Sequence, residues 1–356
     1  MTRTLTAALV TLGDPRTLSG GYLFHRRLAE LAERHRARLS FVSFPQRPFP
    51  VASMDAPRVV AQVQRGGAEV LVLDSIAAAF LGPLLTVYRP GTPIVGMLHQ
   101  PPGGIDHAPP RALVQAFLDR LAYRHAARLL VASESLAEDL RPSIGRPERI
   151  HVVPPGRDVA SAPEQAPDDV RLGRRVALLS VGNWVERKGI MALLEAFAAL
   201  PRDAATLHLV GRTDVDPGYE RRVRARLRQP DLGARVVVHG ALSTARVAAM
   251  YAACDAFVLP SLREPYGTVY GEAMAYGLPV VGWRAGNLPY LADDEREGLI
   301  VAVGDVPRLA EAMLRLAEDP SLRQRLGAAA RRRAQARPTW DQVAALFFGH
   351  LREVLQ

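Results

Sequence analysis

The chain has 356 residues, 48% of them apolar, and a formal net charge of +9 at pH 7. That length exceeds the usual size of one hydrophobic core and predicts two domains, while a single cysteine, Cys254, excludes an internal disulfide scaffold or a cysteine-built metal site. No apolar run nears the roughly 20 residues that span a bilayer, so a reducing, cytoplasmic setting is expected.

The basic charge is almost wholly arginine, because Lys188 is the only lysine. The arginine clusters at 221–226 and 331–333 sit on predicted helices among apolar residues. They read as solvated helix faces, with an anionic membrane surface as the alternative; no zinc-finger spacing or RNA-recognition signature points to nucleic acid.

From the start, apolar runs alternate with helical patterns. Leu5–Leu12 meets Gly13-Asp14 and reads as a first strand, not a signal peptide. Further strands are predicted at Leu39–Phe44, Glu69–Asp74, Pro93–Leu98, Arg128–Ser133 and Arg149–Val153, with helices near 20–38, 56–66, 75–88, 110–125 and 134–141. Residues 159–173 have linker composition. A second alternation follows, with strands at 175–181, 205–210, 234–239, 256–260, 278–283 and 299–303, and closing helices near 305–317, 320–335 and 340–355. Such alternation implies βαβ units and parallel sheets covered on both faces. The expected domains are 1–158 and 174–339, each doubly wound and Rossmann-like, with ligand binding at the carboxyl ends of the strands.

The most informative stretch runs from Val258 to Ala275. It reads as a buried strand, a polar turn with Glu264-Pro265-Tyr266-Gly267, and a helix starting near Thr268. The backbone N–H groups of Gly267, Thr268 and Val269 would face an anion. Glu264 and Glu272 bracket the turn with seven residues between them. Two glutamates alone also fit exposed surface acids; Pro265, Gly267 and the small Ala273 and Ala275 in the same frame favour a site.

Earlier, Gly182-Asn183-Trp184-Val185-Glu186-Arg187-Lys188-Gly189 joins a strand to the helix Ile190–Leu200. A helix terminus contributes only about 0.3–1 kcal/mol per exposed charge. A diphosphate there needs a compact cation as well, and the sole lysine lies at this position.

These two segments resemble the E-x7-E and G-R-x-x-x-x-K-G motifs of glycosyltransferase family 4, the retaining enzymes of the GT-B fold. The resemblance implies that Lys188 binds the phosphates of a nucleotide diphosphate sugar, a UDP- or GDP-sugar, and that Glu264 orients the sugar. It assigns Gly267, Thr268 and Val269 to the phosphates, Glu272 to the ribose hydroxyls, and Gly211-Arg212 to the base or ribose. Asn183 stands where the family carries an arginine, and Arg187 is the neighbouring cation that would compensate. In the first domain it assigns Gly20-Gly21 and His99 to donor phosphate and sugar, and it places the helix after Trp340 back on that domain.

The loop Pro101-Pro102-Gly103-Gly104 would shape the pocket of a sugar, lipid-linked or small-molecule acceptor. Val153-Pro154-Pro155-Gly156 resembles the family's domain exit, and Gly286-Asn287-Leu288-Pro289-Tyr290 a G-G-x-P-E segment with tyrosine for the acid. Neither a metal nor a further cofactor is expected. Peripheral contact with the inner membrane face is considered for the helix near 20–38, where Phe24, Leu28 and Leu31 form a stripe that core packing would also explain. The alternatives are a sugar-nucleotide binder or partner subunit without strong catalysis, motivated by Asn183, and an inverting GT-B enzyme or epimerase, which lacks the paired-glutamate turn.

Overall fold

A computed structural model describes residues 3–15, 20–157 and 169–356. Residues 16–19, which precede Gly20 in the expected glycine turn, and 158–168, most of the expected linker, lie outside the described residues. Two compact units divide the chain: Met1–Gly156 with Pro338–Gln356, and Arg157–Arg337.

In the first unit, β1 (Leu5–Leu12), β2 (Ala37–Phe44), β3 (Val70–Asp74), β4 (Ile94–Leu98), β5 (Arg128–Val131) and β6 (Ile150–Val152) form a parallel sheet in the order β2-β1-β3-β4-β5-β6. Side chains alternate across a strand, so β1 feeds two cores. Leu5, Ala7 and Leu9 pack with Phe24 and Leu28 of the helix Gly20–Leu31 and with Val343, Phe347 and Phe348 of the helix Trp340–Glu353. Ala8 and Val10 join the opposite core with Val59, Val63, Leu81 and Leu85. Fully burying one such Val, Leu or Phe side chain is worth about 1.5–3 kcal/mol, and a one-residue slip would exchange both faces.

The closing helix is started by a capping box of Thr339 and Gln342. Gly156 fits beneath it because a Cβ there would lie 2.5 Å from the Trp340 backbone. The stripe of Phe24 and Leu28 is thus core rather than a membrane-facing surface.

The second unit holds β7 (Val176–Val181), β8 (Ala205–Val210), β9 (Val236–Gly240), β10 (Ala256–Val258), β11 (Val280–Trp283) and β12 (Gly298–Val301), in the order β12-β11-β10-β7-β8-β9. Val176 and Leu178 serve one core, Ala177 and Leu179 the other. In each sheet the strand order reverses once, between β1 and β3 and between β7 and β10, and a crevice opens at such a reversal beyond the carboxyl ends of the strands.

Some element ends differ from expectation for local reasons. The helix predicted near 20–38 stops at Leu31; a 3-10 turn follows over Ala32–His35, and Arg36 at φ 49° turns the chain into β2. The strand predicted over Arg128–Ser133 stops at Val131, because Ser133 caps the next helix by accepting from the Leu136 N–H at 3.1 Å. Among the described residues, no helix is long and apolar enough to cross a membrane. Much of the arginine charge is matched internally: Arg222 pairs with Glu186, Arg224 with Glu220, Arg226 with Glu195 and Asp231, and Arg333 with Asp293 and Glu297.

Candidate active site

The loops after β7 and β10 meet at the reversal of the second sheet. Beyond β7 the chain makes a 3-10 turn over Glu186–Lys188 and swings at Gly189, φ +70°, into the helix Ile190–Ala198. A Cβ on Gly189 would lie 2.0 Å from the Pro260 carbonyl oxygen, so glycine is what lets these loops touch. The Arg187 carbonyl oxygen accepts from the Leu262 N–H at 2.7 Å and from Ser261 Oγ at 3.1 Å.

Held this way, Lys188 runs over Gly182, and its Nζ donates to Oε2 of Glu264. The side chains are only 10% and 14% exposed. A third loop, after β11, grips the glutamate from behind: a Cβ on Gly286 would lie 2.7 Å from the Glu264 nitrogen. The Asn287 N–H donates to the Glu264 carbonyl at 3.0 Å, and Asn287 Nδ2 donates to the Tyr266 carbonyl at 2.7 Å.

Gly267, at φ +82°, turns the chain into the helix Thr268–Ala275, which carries no side-chain cap. Among the described residues the N–H groups of Gly267, Thr268 and Val269 have no backbone acceptor, as the first turn of a helix dictates. A Cβ on Gly267 would approach Glu264 Cγ to 3.5 Å, so these donors lie beside the ion pair. Glu272, one turn on, accepts from Tyr251 Oη at 3.0 Å; burial first, then the Glu272 charge, holds that phenol well above its ordinary range.

Asn183 is exposed, and its Oδ1 accepts from the Arg212 N–H at 3.1 Å, linking the ends of β7 and β8. Gly211 belongs to the same junction, since a Cβ there would lie 2.2 Å from the Gly182 oxygen. Arg187 Nη1 donates to the Arg263 carbonyl at 3.2 Å, against the glutamate loop. Lys188, Arg187, Glu264 and the Gly267–Val269 turn therefore form one cluster, with Asn183 and Gly211 at its β8 side and Glu272 on its helix.

The first unit holds a second cluster. His99 follows β4, Asp74 ends β3, Thr11 lies in β1, and His25 comes from the helix Gly20–Leu31. His99 Nε2 is 2.9 Å from His25 Nε2, and His25 Nδ1 is 3.7 Å from Asp74 Oδ2. Burial pushes both imidazoles down to about 3; for His99 the neighbouring His25 adds to the fall and Asp74 opposes it. Burial raises the Asp74 carboxyl, against the pull of His99 and of its hydrogen-bond donors.

Gly21 faces the His99 ring, where a Cβ would lie 3.4 Å from Cδ2, while Gly20 is exposed with open space about it. One ligand atom each from His25, Asp74 and His99 lies within 4.8 Å of the others, a spacing compatible with a cation. In the loop after β4, the Gly103 N–H donates to Oδ2 of Asp119, on the helix Pro109–Arg124, at 2.8 Å, and burial pushes that carboxyl up to about 7.

Sequence reasoning missed His25, Asp74, Ser261 and the clamping role of Asn287. Only the Gly286-Asn287 match carried any signal of them.

A family model described as Glycosyl transferases group 1 matches residues 164–333, and one described as Glycosyltransferase Family 4 matches residues 3–161. A D-inositol 3-phosphate glycosyltransferase of Xylanimonas cellulosilytica is 34% identical over 229 residues, covering 61% of this chain and 54% of the relative. An MMP alpha-(1->4)-mannosyltransferase of Mycolicibacterium hassiacum is 31% identical over 280 residues, covering 74% and 66%. The chain thus spans between about half and two thirds of the length of these curated relatives. Among solved structures, HepE of Anabaena in complex with UDP and glucose superposes with a TM-score of 0.79 at 21% identity, over 98% of this chain and 100% of that one, a likeness of fold.

Proposed function

The chain belongs to glycosyltransferase family 4 and has the two-domain GT-B fold, and on that premise we propose that it transfers a sugar from a UDP- or GDP-sugar to an acceptor hydroxyl with retention at the anomeric carbon. The observation that carries the proposal is the enclosed Lys188–Glu264 pair beside the open N–H groups of Gly267–Val269. A cation and preorganised N–H dipoles stabilise the negative charge that grows on a departing diphosphate.

In this reading the bond between the anomeric carbon and the diphosphate oxygen breaks. The acceptor oxygen bonds to that carbon on the same face, and its proton passes to the leaving phosphate oxygen. Lys188 and the Gly267–Val269 turn hold the phosphates, with Arg187, Asn183 and Gly211 around the nucleotide. Glu264 accepts from sugar hydroxyls and faces the positive charge that develops on the ring, and Glu272 receives the ribose hydroxyls. In the first unit, His99 and Gly20-Gly21 are assigned to ligand contacts.

The scheme calls for no metal and no cofactor beyond the donor. Sugars, lipid-linked glycans and small hydroxylated molecules are the acceptor classes, with the reaction on the cytoplasmic side and at the membrane surface for a lipid-linked acceptor. The printed names of the curated relatives support sugar transfer. Incubation with UDP- and GDP-sugars, followed by NMR of the anomeric proton of the product, tests the reading; inverted product refutes retention, and no turnover of any donor refutes transfer.

Asn183 favours a second reading. Its side chain is engaged with Arg212 and brings no charge, so the diphosphate loses one of the family's two cations there. A sugar-nucleotide binder with weak or no catalysis would bind UDP or GDP yet leave the donor intact with every acceptor.

A further inference from the structure

The proposed transfer leaves unexplained why a histidine near a ligand should be backed by a second histidine and a carboxylate inside the fold. Thr11 and His25 are fully buried, and Asp74 is 2% exposed. Thr11 Oγ1 donates to Asp74 Oδ2 at 2.7 Å, while Ser75 Oγ at 3.3 Å and the Ile76 N–H at 3.4 Å donate to Oδ1. These three groups all donate to the carboxyl, and their bonds favour the carboxylate against the burial that raises it.

His25 Nδ1 is the next polar atom, 3.7 Å from Oδ2 and otherwise without a hydrogen-bond partner. In so dry a place an N–H dipole aimed at the carboxylate is favoured over a lone pair aimed at it. The proton of a neutral His25 therefore sits on Nδ1, and Nε2 is its lone pair. Two neutral imidazoles with Nε2 atoms 2.9 Å apart share one hydrogen, so His99 must supply it from Nε2.

The ring of His99 has little freedom to escape this. Phe24 meets it edge-on with centroids 4.9 Å apart, Gly21 closes one flank, and the His99 N–H donates to Ser75 Oγ at 3.3 Å. Its Nδ1 receives no hydrogen bond from the described residues.

We propose that Asp74 and His25 are positioning residues that fix the tautomer of His99, so that His99 meets a bound ligand through Nδ1 as a hydrogen-bond acceptor for a hydroxyl. Only the identity of that hydroxyl, on the transferred sugar, rests on the glycosyltransferase reading. The arrangement selects a sugar able to donate at that position: a deoxy or deoxyfluoro analogue leaves Nδ1 unpaired, and sites that hydrogen-bond a hydroxyl reject such analogues by large factors.

Nitrogen-15 NMR of the histidine-labelled full chain near neutral pH tests the proposal without any turnover. The expected spectrum has His99 protonated on Nε2 alone and His25 on Nδ1 alone. In His25→Leu the His99 signals should move toward mixed tautomers, and in His25→Gln, whose amide oxygen can accept from His99, they should return. A wild-type His99 protonated on Nδ1 overturns the proposal, and so does a His25→Leu chain with an unchanged tautomer. Elemental analysis finding one transition-metal ion per chain, bound through His25 and His99, overturns it too. The wild-type spectrum decides even where a variant fails to fold. With a donor sugar in hand, kcat should fall about tenfold or more in His25→Leu, with KM little changed, and recover in His25→Gln. The predicted tautomer in a chain that turns over no donor would refute the transfer reading alone.

Discussion

Lys188 donates from Nζ to Oε2 of Glu264, joining the loop after β7 to the loop after β10 through an ion pair that solvent scarcely reaches. In the proposed reading, the ammonium assigned to the diphosphate is thus neutralised, before any ligand arrives, by the acid assigned to the sugar. Replacing Lys188 by alanine removes the cation and strands the carboxylate. Breaking a buried pair on one side costs about 3–5 kcal/mol, and the residual exposure puts this pair near the lower figure. Loss of one preorganised transition-state contact lowers rate by about 10²–10³. We expect Lys188→Ala to lose transfer by at least that factor while still folding by circular dichroism; a folded variant with near wild-type activity would remove Lys188 from the mechanism.

The same pair makes the opposite substitution informative. If phosphate binds Lys188 as proposed, Glu264 competes with it for the ammonium, so Glu264→Gln should bind a bare nucleoside diphosphate more tightly than wild type does. It should also lose sugar transfer by about 10²–10³, because the amide cannot face positive charge as a carboxylate does. Calorimetric titration with UDP and GDP beside a transfer assay separates the effects. Weaker diphosphate binding in Glu264→Gln would show that the ion pair does not oppose the ligand.

Gly189 allows the loops to meet at all. Alanine there must adopt φ +70° and place its Cβ 2.0 Å from the Pro260 oxygen. Strain from the left-handed conformation costs about 1 kcal/mol, and overpacking adds about 1–3 kcal/mol. The chain would relieve the contact by parting the two loops, which draws Lys188 from Glu264. Gly189→Ala should therefore unfold at lower urea concentration and bind UDP or GDP less well; an unchanged urea midpoint together with unchanged binding would deny the loop contact its role.

How much of this was legible depended on whether the signal was local. Val176–Val181 and Ala205–Val210 were readable because apolar runs buried on both faces leave an unbroken pattern, and Gly267 before Thr268 marked a helix start. Lys188 stood out through its solitude, its place just before a helix and the motif it matches. His25 gave no such mark: one helix position after Phe24 it looks like any residue of that turn, and its partners Asp74 and His99 lie 49 and 74 positions away in the chain. Asn287 likewise has meaning only through Glu264 and Tyr266, which belong to another loop. Periodicity reports which face is buried, whereas a polar network is specified by tertiary proximity, which the order of residues does not display.

Asp119 offers a test in which pH carries the sign. Its carboxyl is 1% exposed, accepts from the Gly103 N–H, and is pushed up by burial from 3.8 to about 7. An unfolded chain releases that proton near 3.8, while the folded chain keeps it to about pH 7. Between those values the folded state binds more protons, so this group makes stability fall as pH rises through the window and contributes a constant penalty above it. About three pK units at 1.36 kcal/mol each bound the penalty at about 4 kcal/mol. Asp119→Asn is neutral throughout and keeps an amide oxygen for Gly103, so its stability relative to wild type should climb from pH 4 to pH 7 and then level off. Urea unfolding of both proteins at pH 4.5, 6 and 8 measures that difference. A difference that stays flat with pH would mean the folded carboxyl ionises at its ordinary value, and that the Pro101–Gly104 loop is held by a charge after all.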